Sequence, residues 1–509
     1  MDFATLLSQT FPYLTPEIIL TLVACGLLVL DVVTPHSKKR WIAHVALGGT
    51  VMSGISLFVL WRQIRPTNPI YLFYNMYVFD GFSVVLKAIF LATAALSIAI
   101  AVKYLDVEEE QHGEYYSLIL FSTVGMMFIA SGSDLLTLYI GMELMALSVY
   151  VLVGYLKRDR RSNEAAMKYF LMGAFSSGIL LYGISLFYGV VGSTNLTDIS
   201  NKLAQTDPGK PTDIVALLAT VLMAAGLCFK VAAVPFHMWA PDAYEGAPTS
   251  VTAFMSVGVK AGSYALFARI FLYGLNPLYD KWLILLGIIA AVTMTWGNFG
   301  AVTQTNVKRL MAYSSIAHAG YILLGLLANN EWGYWGIVVY LMAYTFMNLG
   351  AFGVLIAMRR KGILGDQLDD LNGLMYTEPW LAVLMLVFML SLAGIPPTAG
   401  FVGKFLIFGG LIKRAVTASQ EGHLSTSWWL GALAVLAVLN TAVSLYYYFN
   451  FVKAMFVSDA SEKAPPALSY GLKIALGVSV ALTLIIGVYP TPFVNWASSA
   501  AQAFSAIAK

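Results

Sequence analysis

Long apolar stretches separated by short polar segments make up almost the whole chain. About fourteen of them approach the roughly 20 residues that a helix needs to cross a hydrocarbon core. The pattern predicts an all-α polytopic membrane protein. The predicted spans are 16–34, 41–61, 81–103, 115–132, 135–156, 164–191, 214–234, 248–273, 282–303, 310–328, 333–358, 380–412, 428–456 and 472–491.

Composition supports this fold class and excludes others. The 509 residues are 59% hydrophobic and 11% charged, which is too few charges to cover a soluble globular surface of this size. The net charge of +3 is small and dispersed, so we expect no nucleic-acid partner. Cys25 and Cys228 lie in apolar segments and offer no disulfide, metal or iron–sulfur spacing. The first apolar stretch lacks a basic leader, so we expect a retained helix.

The loop charges orient the predicted bundle. With the N-terminus outside, the odd-numbered loops hold fifteen Lys and Arg residues, and the even-numbered loops with the C-terminus hold nine. The positive-inside rule therefore favours both termini outside. About twenty residues follow the last predicted span, so we expect no long C-terminal lateral helix.

Two predicted spans are interrupted in a matching way. The seventh contains Pro235 five residues after Lys230, and the twelfth contains Pro396 and Pro397 before Lys404. Broken helices at equivalent places in two halves indicate a transport site. We therefore expect two inverted five-helix repeats. The predicted units are N-terminal helices 1–3 at 1–114, a first repeat at 115–273, a second at 282–456, and the last helix and tail at 457–509.

Five charged residues are singled out because they lie far inside the predicted spans, and these are Glu143, Lys168, Lys230, Lys260 and Lys404. A lysine at the bilayer centre costs roughly 2.5–3.5 kcal/mol, and such residues usually line an ion or proton path. Lysine can release its proton when desolvated, whereas arginine effectively cannot. We expect Glu143 to pair with Lys230. A static structural ion pair is the alternative interpretation.

Other polar residues have a weaker case. His318 is central in the tenth predicted span and titrates near neutrality, although a buried neutral histidine held by a carbonyl is an alternative. His237 follows Pro235 and is either a proton carrier or a loop cap. Lys168 and Lys87 lie nearer to span ends and can snorkel to the interface.

Several motifs resemble one known family. They are the Lys230–Pro235 break, the stretch 235–248 (PFHMWAPDAYEGAP), Lys260 and Lys404. Together they resemble the antiporter-like, proton-pumping membrane subunits of respiratory complex I and of multisubunit cation/proton antiporters. Within that family the stretch 154–173 (GYLKRDRRSNEAAMKYFLMG) looks like subunit 2, or N, in its cyanobacterial and chloroplast form.

The resemblance implies roles for the singled-out residues. Glu143 and Lys230 match the coupling ion pair, Lys260 the central relay and Lys404 the exit-side lysine. Lys168, His237 and His318 match secondary positions of the polar axis. The implied function is proton translocation within a complex I-like NAD(P)H- or ferredoxin-driven plastoquinone oxidoreductase.

The resemblance also implies partners and a location. They are other membrane and peripheral subunits, the lipid bilayer and the cyanobacterial thylakoid membrane. No Rossmann fingerprint or iron–sulfur ligand set occurs in the sequence, so this chain is expected to bind no cofactor. Iron–sulfur clusters, plastoquinone and ferredoxin or NAD(P)H belong to the implied complex.

Three alternatives remain open. A stand-alone sodium/proton antiporter uses the same architecture. A solute carrier is suggested by the broken helices alone, although no arginine lies deep in a predicted span to bind an anionic solute. A purely structural membrane subunit leaves the costly lysines unexplained.

Overall fold

The computed structural model describes residues 10–63, 69–205, 211–359, 365–459 and 468–505. Six of the loop charges used for orientation lie outside these ranges, namely Arg65, Lys210, Arg360, Lys361, Lys463 and Lys509. The α-helices are α1 (Thr15–Val33), α2 (Ile42–Gln63), α3 (Gly81–Glu108), α4 (Gly113–Ser131), α5 (Leu135–Val153), α6 (Arg160–Val191), α7 (Leu196–Ala204), α8 (Pro211–Val231), α9 (Trp239–Gly246), α10 (Thr249–Gly274), α11 (Tyr279–Val302), α12 (Val307–Ala328), α13 (Glu331–Met358), α14 (Leu374–Thr377), α15 (Pro379–Ala393), α16 (Ala399–Gln420), α17 (Leu424–Phe456), α18 (Tyr470–Val488) and α19 (Thr491–Ser505).

The predicted fold class is confirmed. In the described part of the chain, thirteen helical segments are long and apolar enough to cross a membrane. The shorter apolar helix α15 is followed directly by α16, and the two together replace the predicted span 380–412. Helices α10 and α13 are buried along their most apolar windows, so they form the centre of the bundle.

Short elements connect the helices. A two-stranded antiparallel hairpin, β1 (Ile70–Leu72) and β2 (Tyr77–Phe79), precedes α3. Single 3-10 turns occupy Phe11–Leu14, His36–Trp41, Asn276–Leu278 and Leu368–Leu371.

Local sequence explains where several helices begin and end. Asp80 caps α3 by accepting from Ser83 N at 2.8 Å, while Ser83 Oγ accepts from Asp80 N at 3.0 Å. This reciprocal capping satisfies amide groups that have no partner within the helix. Gly394 ends α15 in the left-handed conformation with φ of 84°, which favours glycine because it lacks a Cβ.

Lys87 does not snorkel, contrary to the expectation from its position near a span end. Its side chain is 0% exposed, and its Nζ lies 2.7 Å from Glu17 Oε1. The Lys87 ammonium also donates to Tyr77 Oη at 2.6 Å. The neighbouring helix α1 therefore supplies an acceptor that the sequence pattern around Lys87 does not reveal.

A second buried charge pair joins α10 to α3. Arg269 donates to both carboxylate oxygens of Asp80 at 2.8 Å and also to the Ala130 carbonyl. Both side chains of the ion pair are almost fully buried. A bidentate Arg–carboxylate contact has a fixed geometry. It therefore anchors one end of α10 to α3 and α4.

The two halves of the chain contain matching backbone contacts. Asp134 before α5 bridges Asn195 after α6, and Asn306 before α12 bridges Gln367 after α13. In each case the chain segment between the bridge partners contains two long helices. The broken helices follow each bridge in the same order, with gaps at Ala232–Met238 and Gly394–Thr398.

We predict that Arg269→Leu destabilises the folded subunit. The substitution leaves Asp80 buried without its cation, and breaking such pairs costs about 3–5 kcal/mol. Thermal aggregation of the detergent-extracted protein should begin at a clearly lower temperature. The control, Arg269→Gln combined with Asp80→Asn, removes both charges and keeps a capping side chain, so it should lose less. Equal stability of Arg269→Leu and wild type would contradict the anchoring role.

Candidate functional site

Lys230 lies at the end of α8, just before the first break. It is 4% exposed, and its Nζ donates to Tyr150 Oη and to Ser177 Oγ, each at 3.3 Å. These two hydroxyls come from α5 and α6. Neutral hydroxyl groups can both accept and donate hydrogen bonds. The ammonium is therefore held by groups that can also pass a proton.

The expected direct ion pair between Glu143 and Lys230 is not formed. Among the described residues no salt bridge of 4 Å or less joins them, and Glu143 Oε1 is buried without a hydrogen-bond partner. Glu143 lies seven residues before Tyr150, which is two turns along the same face of α5. The hydroxyl of Tyr150 therefore occupies the place at Lys230 that we expected the carboxylate to take.

Lys260 lies in the middle of α10 between two stretches of π-helical geometry, Met255–Val259 and Ala268–Gly274. It is 4% exposed, and its Nζ donates to both the carbonyl and the hydroxyl of Ser315 on α12. Its ammonium also lies 5.4 Å from the ring centroid of Tyr344. π-helical turns inside α-helices frequently mark functional sites.

His318 lies one turn from Ser315 and is hydrogen-bonded on both ring nitrogens. Nδ1 is 2.5 Å from Tyr340 Oη, and Nε2 is 2.9 Å from Tyr448 Oη. Tyr448 Oη in turn lies 2.5 Å from Ser314 Oγ. The partners are tyrosine hydroxyls, so the expected alternative of a histidine held by a backbone carbonyl is not what the structure contains.

Lys404 lies beyond the second break and is bound by the end of α15. Its Nζ donates to the carbonyls of Leu392 and Ala393 at 3.1 and 3.0 Å. Carbonyls at a helix C-terminus lack intrahelical partners and carry partial negative charge. A Cβ at Gly394 would lie 2.8 Å from the Lys404 side chain and would displace its flexible end from this position.

Helix α9 connects the surroundings of Lys230 and Lys260. Trp239 Nε1 donates to the Phe229 carbonyl at 2.9 Å, next to Lys230 in the chain. Tyr244 Oη lies 3.1 Å from Ser315 Oγ, the partner of Lys260. The two-turn helix α9 therefore contacts the backbone next to Lys230 and also contacts Ser315, which binds Lys260.

Lys168 lies apart from the buried lysines and His318 described above. Its side chain is 47% exposed and pairs with Glu164 at 2.8 Å and Asp242 at 3.0 Å. Arg309 also binds Asp242 at 2.8 Å. Burial alone would raise the pKa of Asp242, but hydrogen bonds from Lys168 and Arg309 hold that pKa below its usual value. Asp242 therefore stays ionised at neutral pH and ties α9 to α6 and α12.

His237 is also not joined to the buried lysines. It lies in the first break, 6% exposed, with its ring 6.1 Å from that of Trp296. Its Nδ1 is buried without a hydrogen-bond partner, and within the described ranges no hydrogen bond joins it to one of the lysines. The position fits the loop alternative better than a relay between lysines.

Tyrosines and serines were the site residues that sequence reasoning missed. Hydroxyl side chains are common in apolar helices, so their type alone carries no signal. Two weak signals exist, because Tyr150 follows Glu143 by two helical turns and Ser315 precedes His318 by three residues. The full set of missed contacts is Tyr150, Ser177, Tyr244, Ser314, Ser315, Tyr340 and Tyr448.

The structure thus defines a polytopic membrane protein with two broken helices and buried lysines held by hydroxyls and carbonyls. The family described as "NADH:quinone oxidoreductase/Mrp antiporter, TM" matches residues 132–420. A relative from Koribacter versatilis (strain Ellin345), NADH-quinone oxidoreductase subunit N 1, is 51% identical over 493 residues, covering 94% of each chain. This chain belongs to that family of membrane proteins.

Two solved structures resemble this fold. A chain of respiratory complex I from Thermus thermophilus with bound aureothin is 31% identical, with a TM-score of 0.76 and coverage of 95% of this chain and 99% of that one. A chain of the Mrp complex from Dietzia sp. DQ12-45-1b has a TM-score of 0.82, 22% identity and coverage of 98% and 100%. At that identity the second likeness shows the fold alone.

We predict that Ser315→Ala slows proton movement through this chain several-fold. The substitution removes a hydroxyl from the Lys260 ammonium, and hydrogen bonds to charged groups contribute about 1.5–3 kcal/mol. Redox-driven proton uptake by inverted vesicles measures the effect. Ser263→Ala is the matched control, because its buried Oγ bonds only the Val259 carbonyl on its own helix. Identical uptake by the two variants would show that Ser315 is a packing residue.

Proposed function

We propose that this chain is the proton-translocating membrane subunit N of an NADH-quinone oxidoreductase. The observation that supports this most directly is the hydrogen-bonded arrangement around Lys260, Ser315 and His318 in the bundle centre. A buried lysine bound by a hydroxyl and a carbonyl, near a histidine hydrogen-bonded on both ring nitrogens, is suited to moving protons. The relative from Koribacter versatilis, which aligns with this chain over 94% of each sequence, has the corresponding name.

The proposed mechanism begins with a change of charge near Glu143. Its buried carboxylate oxygen has no hydrogen-bond partner, and Lys230 is held by hydroxyls, so the two are poised in a separated state. Movement of Glu143 towards Lys230 would stabilise the ammonium, and withdrawal would favour proton release. Glu143 and Lys230 thus act as the coupling pair of the proposal.

The proton then passes through the bundle centre. Lys260 is the central carrier and is bound by Ser315. A separate set of contacts runs from the adjacent Ser314 through the Tyr448 hydroxyl to His318. Lys404 is the exit-side carrier, held by carbonyls that bind its charged form. We assign Lys168 and His237 supporting roles at the edge of this route, since neither contacts Lys230, Lys260 or Lys404.

We also propose that residues 115–273 and 282–456 are inverted repeats, between helices 1–3 at 1–114 and the terminal unit at 457–509. The matching bridges Asp134–Asn195 and Asn306–Gln367 support this division. The two helix breaks support it as well, because each break follows its bridge along the chain in the same order. Inverted repeats with broken helices are typical of membrane transport proteins.

A finer proposal concerns the redox partners. The sequence resemblance to the cyanobacterial and chloroplast form favours plastoquinone as acceptor, ferredoxin or NAD(P)H as donor and a thylakoid location. The relative's name supports only an NADH-quinone oxidoreductase. In either form the iron–sulfur clusters and the quinone belong to other parts of the complex, and this chain supplies the proton route.

A stand-alone sodium/proton antiporter subunit is the second candidate. The family description, which names Mrp antiporters beside NADH:quinone oxidoreductases, supports it. The two candidates predict different companions. An antiporter would purify with other membrane polypeptides and would exchange Na⁺ for H⁺ without quinone reduction.

We predict that a tagged copy purified from native membranes brings with it a large iron–sulfur assembly. Iron–sulfur EPR signals and quinone reductase activity identify that assembly. Rates with NADH, NADPH and reduced ferredoxin, and with plastoquinone against ubiquinone and menaquinone analogues, then test the finer proposal. Isolation with membrane polypeptides alone, together with sodium-dependent proton exchange, would favour the antiporter.

We predict that Lys230→Ala assembles normally but strongly lowers proton uptake and the electron transfer coupled to it. Lys230→Arg should be impaired as well, because arginine keeps the charge but cannot release its proton. Lys473→Ala, at an exposed lysine of α18, is the control. Full pumping by a normally assembled Lys230→Ala complex would exclude this mechanism.

A further inference from the structure

A half-enclosed groove lies between α2, α3 and the C-terminal helix α19. Its volume is about 220 Å³, several times the roughly 30 Å³ that one water occupies in the liquid. It is separate from the buried lysines described above. The lining residues are Gly54, Leu57, Phe58, Trp61, Asp80, Gly81, Val84, Val85, Ala88, Trp496 and Ser499.

The groove follows the last turns of α2 and the first turns of α3. On α2 it extends from Trp61, near the helix end, back to Gly54. On α3 it extends from the first residue, Gly81, to Ala88. Seven residues of helix rise about 10 Å, so both walls give the same depth. That depth accommodates about eight methylene groups of an extended hydrocarbon chain, at roughly 1.3 Å each, inside a hydrocarbon layer near 30 Å thick.

At the shallow end, beside Gly81, the Asp80 carboxylate is already occupied by Arg269 and by the amide of Ser83. The deep part of the groove is apolar, with Gly54, Leu57, Val84 and Ala88 as its lining. A polar ligand buried there would lose its hydrogen bonds to water without replacement. The groove therefore selects an apolar chain.

The mouth of the groove has a different chemistry. Arg62 is exposed, and its guanidinium carbon lies 5.1 Å from the ring centroid of Phe58, which lines the groove. Trp61 and Trp496 meet edge to face at 6.0 Å. Tryptophans are enriched at membrane interfaces, and arginine binds phosphate groups. An apolar slot with a cation at its mouth complements an anionic phospholipid.

We propose that this groove binds an anionic phospholipid, with one acyl chain between α2, α3 and α19 and the phosphate near Arg62. The bound chain covers the outer side of Asp80 and so keeps water away from the Asp80–Arg269 pair. The lipid thereby adds to the direct contact that Trp496 of α19 makes with Trp61 of α2. This inference does not depend on the proton-translocation proposal.

Photolabelling of the purified complex tests the proposal. The probe is phosphatidylglycerol with a diazirine in one acyl chain, and mass spectrometry maps the labelled residues. Wild type should be labelled on α2, α3 and α19. Gly54→Phe should reduce this labelling at least fivefold, because a Cβ at Gly54 meets no atom within 4 Å and the ring can enter the groove.

Matched variants separate a specific site from general lipid contact. Gly48→Phe, on the same helix and equally free of clashes, should leave the groove labelling unchanged. Arg62→Gln should lower labelling by phosphatidylglycerol towards that of a phosphatidylcholine probe. Gly54→Leu repeats the test with a smaller side chain if the phenylalanine variant assembles poorly.

Three outcomes would overturn the proposal. One is the absence of label in the wild-type groove, which would show that a neighbouring subunit covers it. Another is equal labelling of the Gly54 and Gly48 variants. The third is equal labelling by the two lipid probes in wild type, which would remove the role of Arg62.

Discussion

A lysine ammonium inside a bilayer must be solvated by the protein, and this constraint shapes the central part of the structure. Lys404 takes two carbonyls from the end of α15, Lys260 takes a carbonyl and a hydroxyl from Ser315, and Lys230 takes two hydroxyls. The break after α15 is what exposes carbonyls to Lys404, since an unbroken helix would keep them in its own ladder. The helix break therefore supplies the carbonyl groups that bind the buried charge.

The two buried cations of α10, Arg269 and Lys260, have chemically different partners. Arg269 binds Asp80 through two parallel contacts and holds α10 against α3 and α4. Arginine keeps its proton, so this pair is suited to fix a helix. The axis lysines have neutral partners instead of carboxylates, which leaves their protons less firmly held. Helix α10 is thus held in place at one end by Arg269, whereas Lys260 in its middle carries a proton that it can release.

The sequence predicts those features that depend on a single segment. Apolar length predicts the spans, and prolines 235, 396 and 397 predict both breaks, because each signal is local. The partner of a charge depends on which helices become neighbours. For that reason Lys87 was expected to snorkel although Glu17 on α1 binds it, and Glu143 was expected at Lys230 although Tyr150 and Ser177 occupy that place. Lys168 lies nearer a span end, where local position correctly allowed an exposed ammonium.

Helix α9 explains how two lysines on different helices can respond together. Its Trp239 binds the carbonyl beside Lys230, and its Tyr244 binds the hydroxyl that also serves Lys260. Asp242 is held by Lys168 and Arg309, so α9 is tied to α6 and α12 as well. A shift of α9 cannot leave both lysine environments unchanged, since its contacts reach both within two turns. The short helix after the first break is thus the physical connection between the proposed coupling pair and the central carrier.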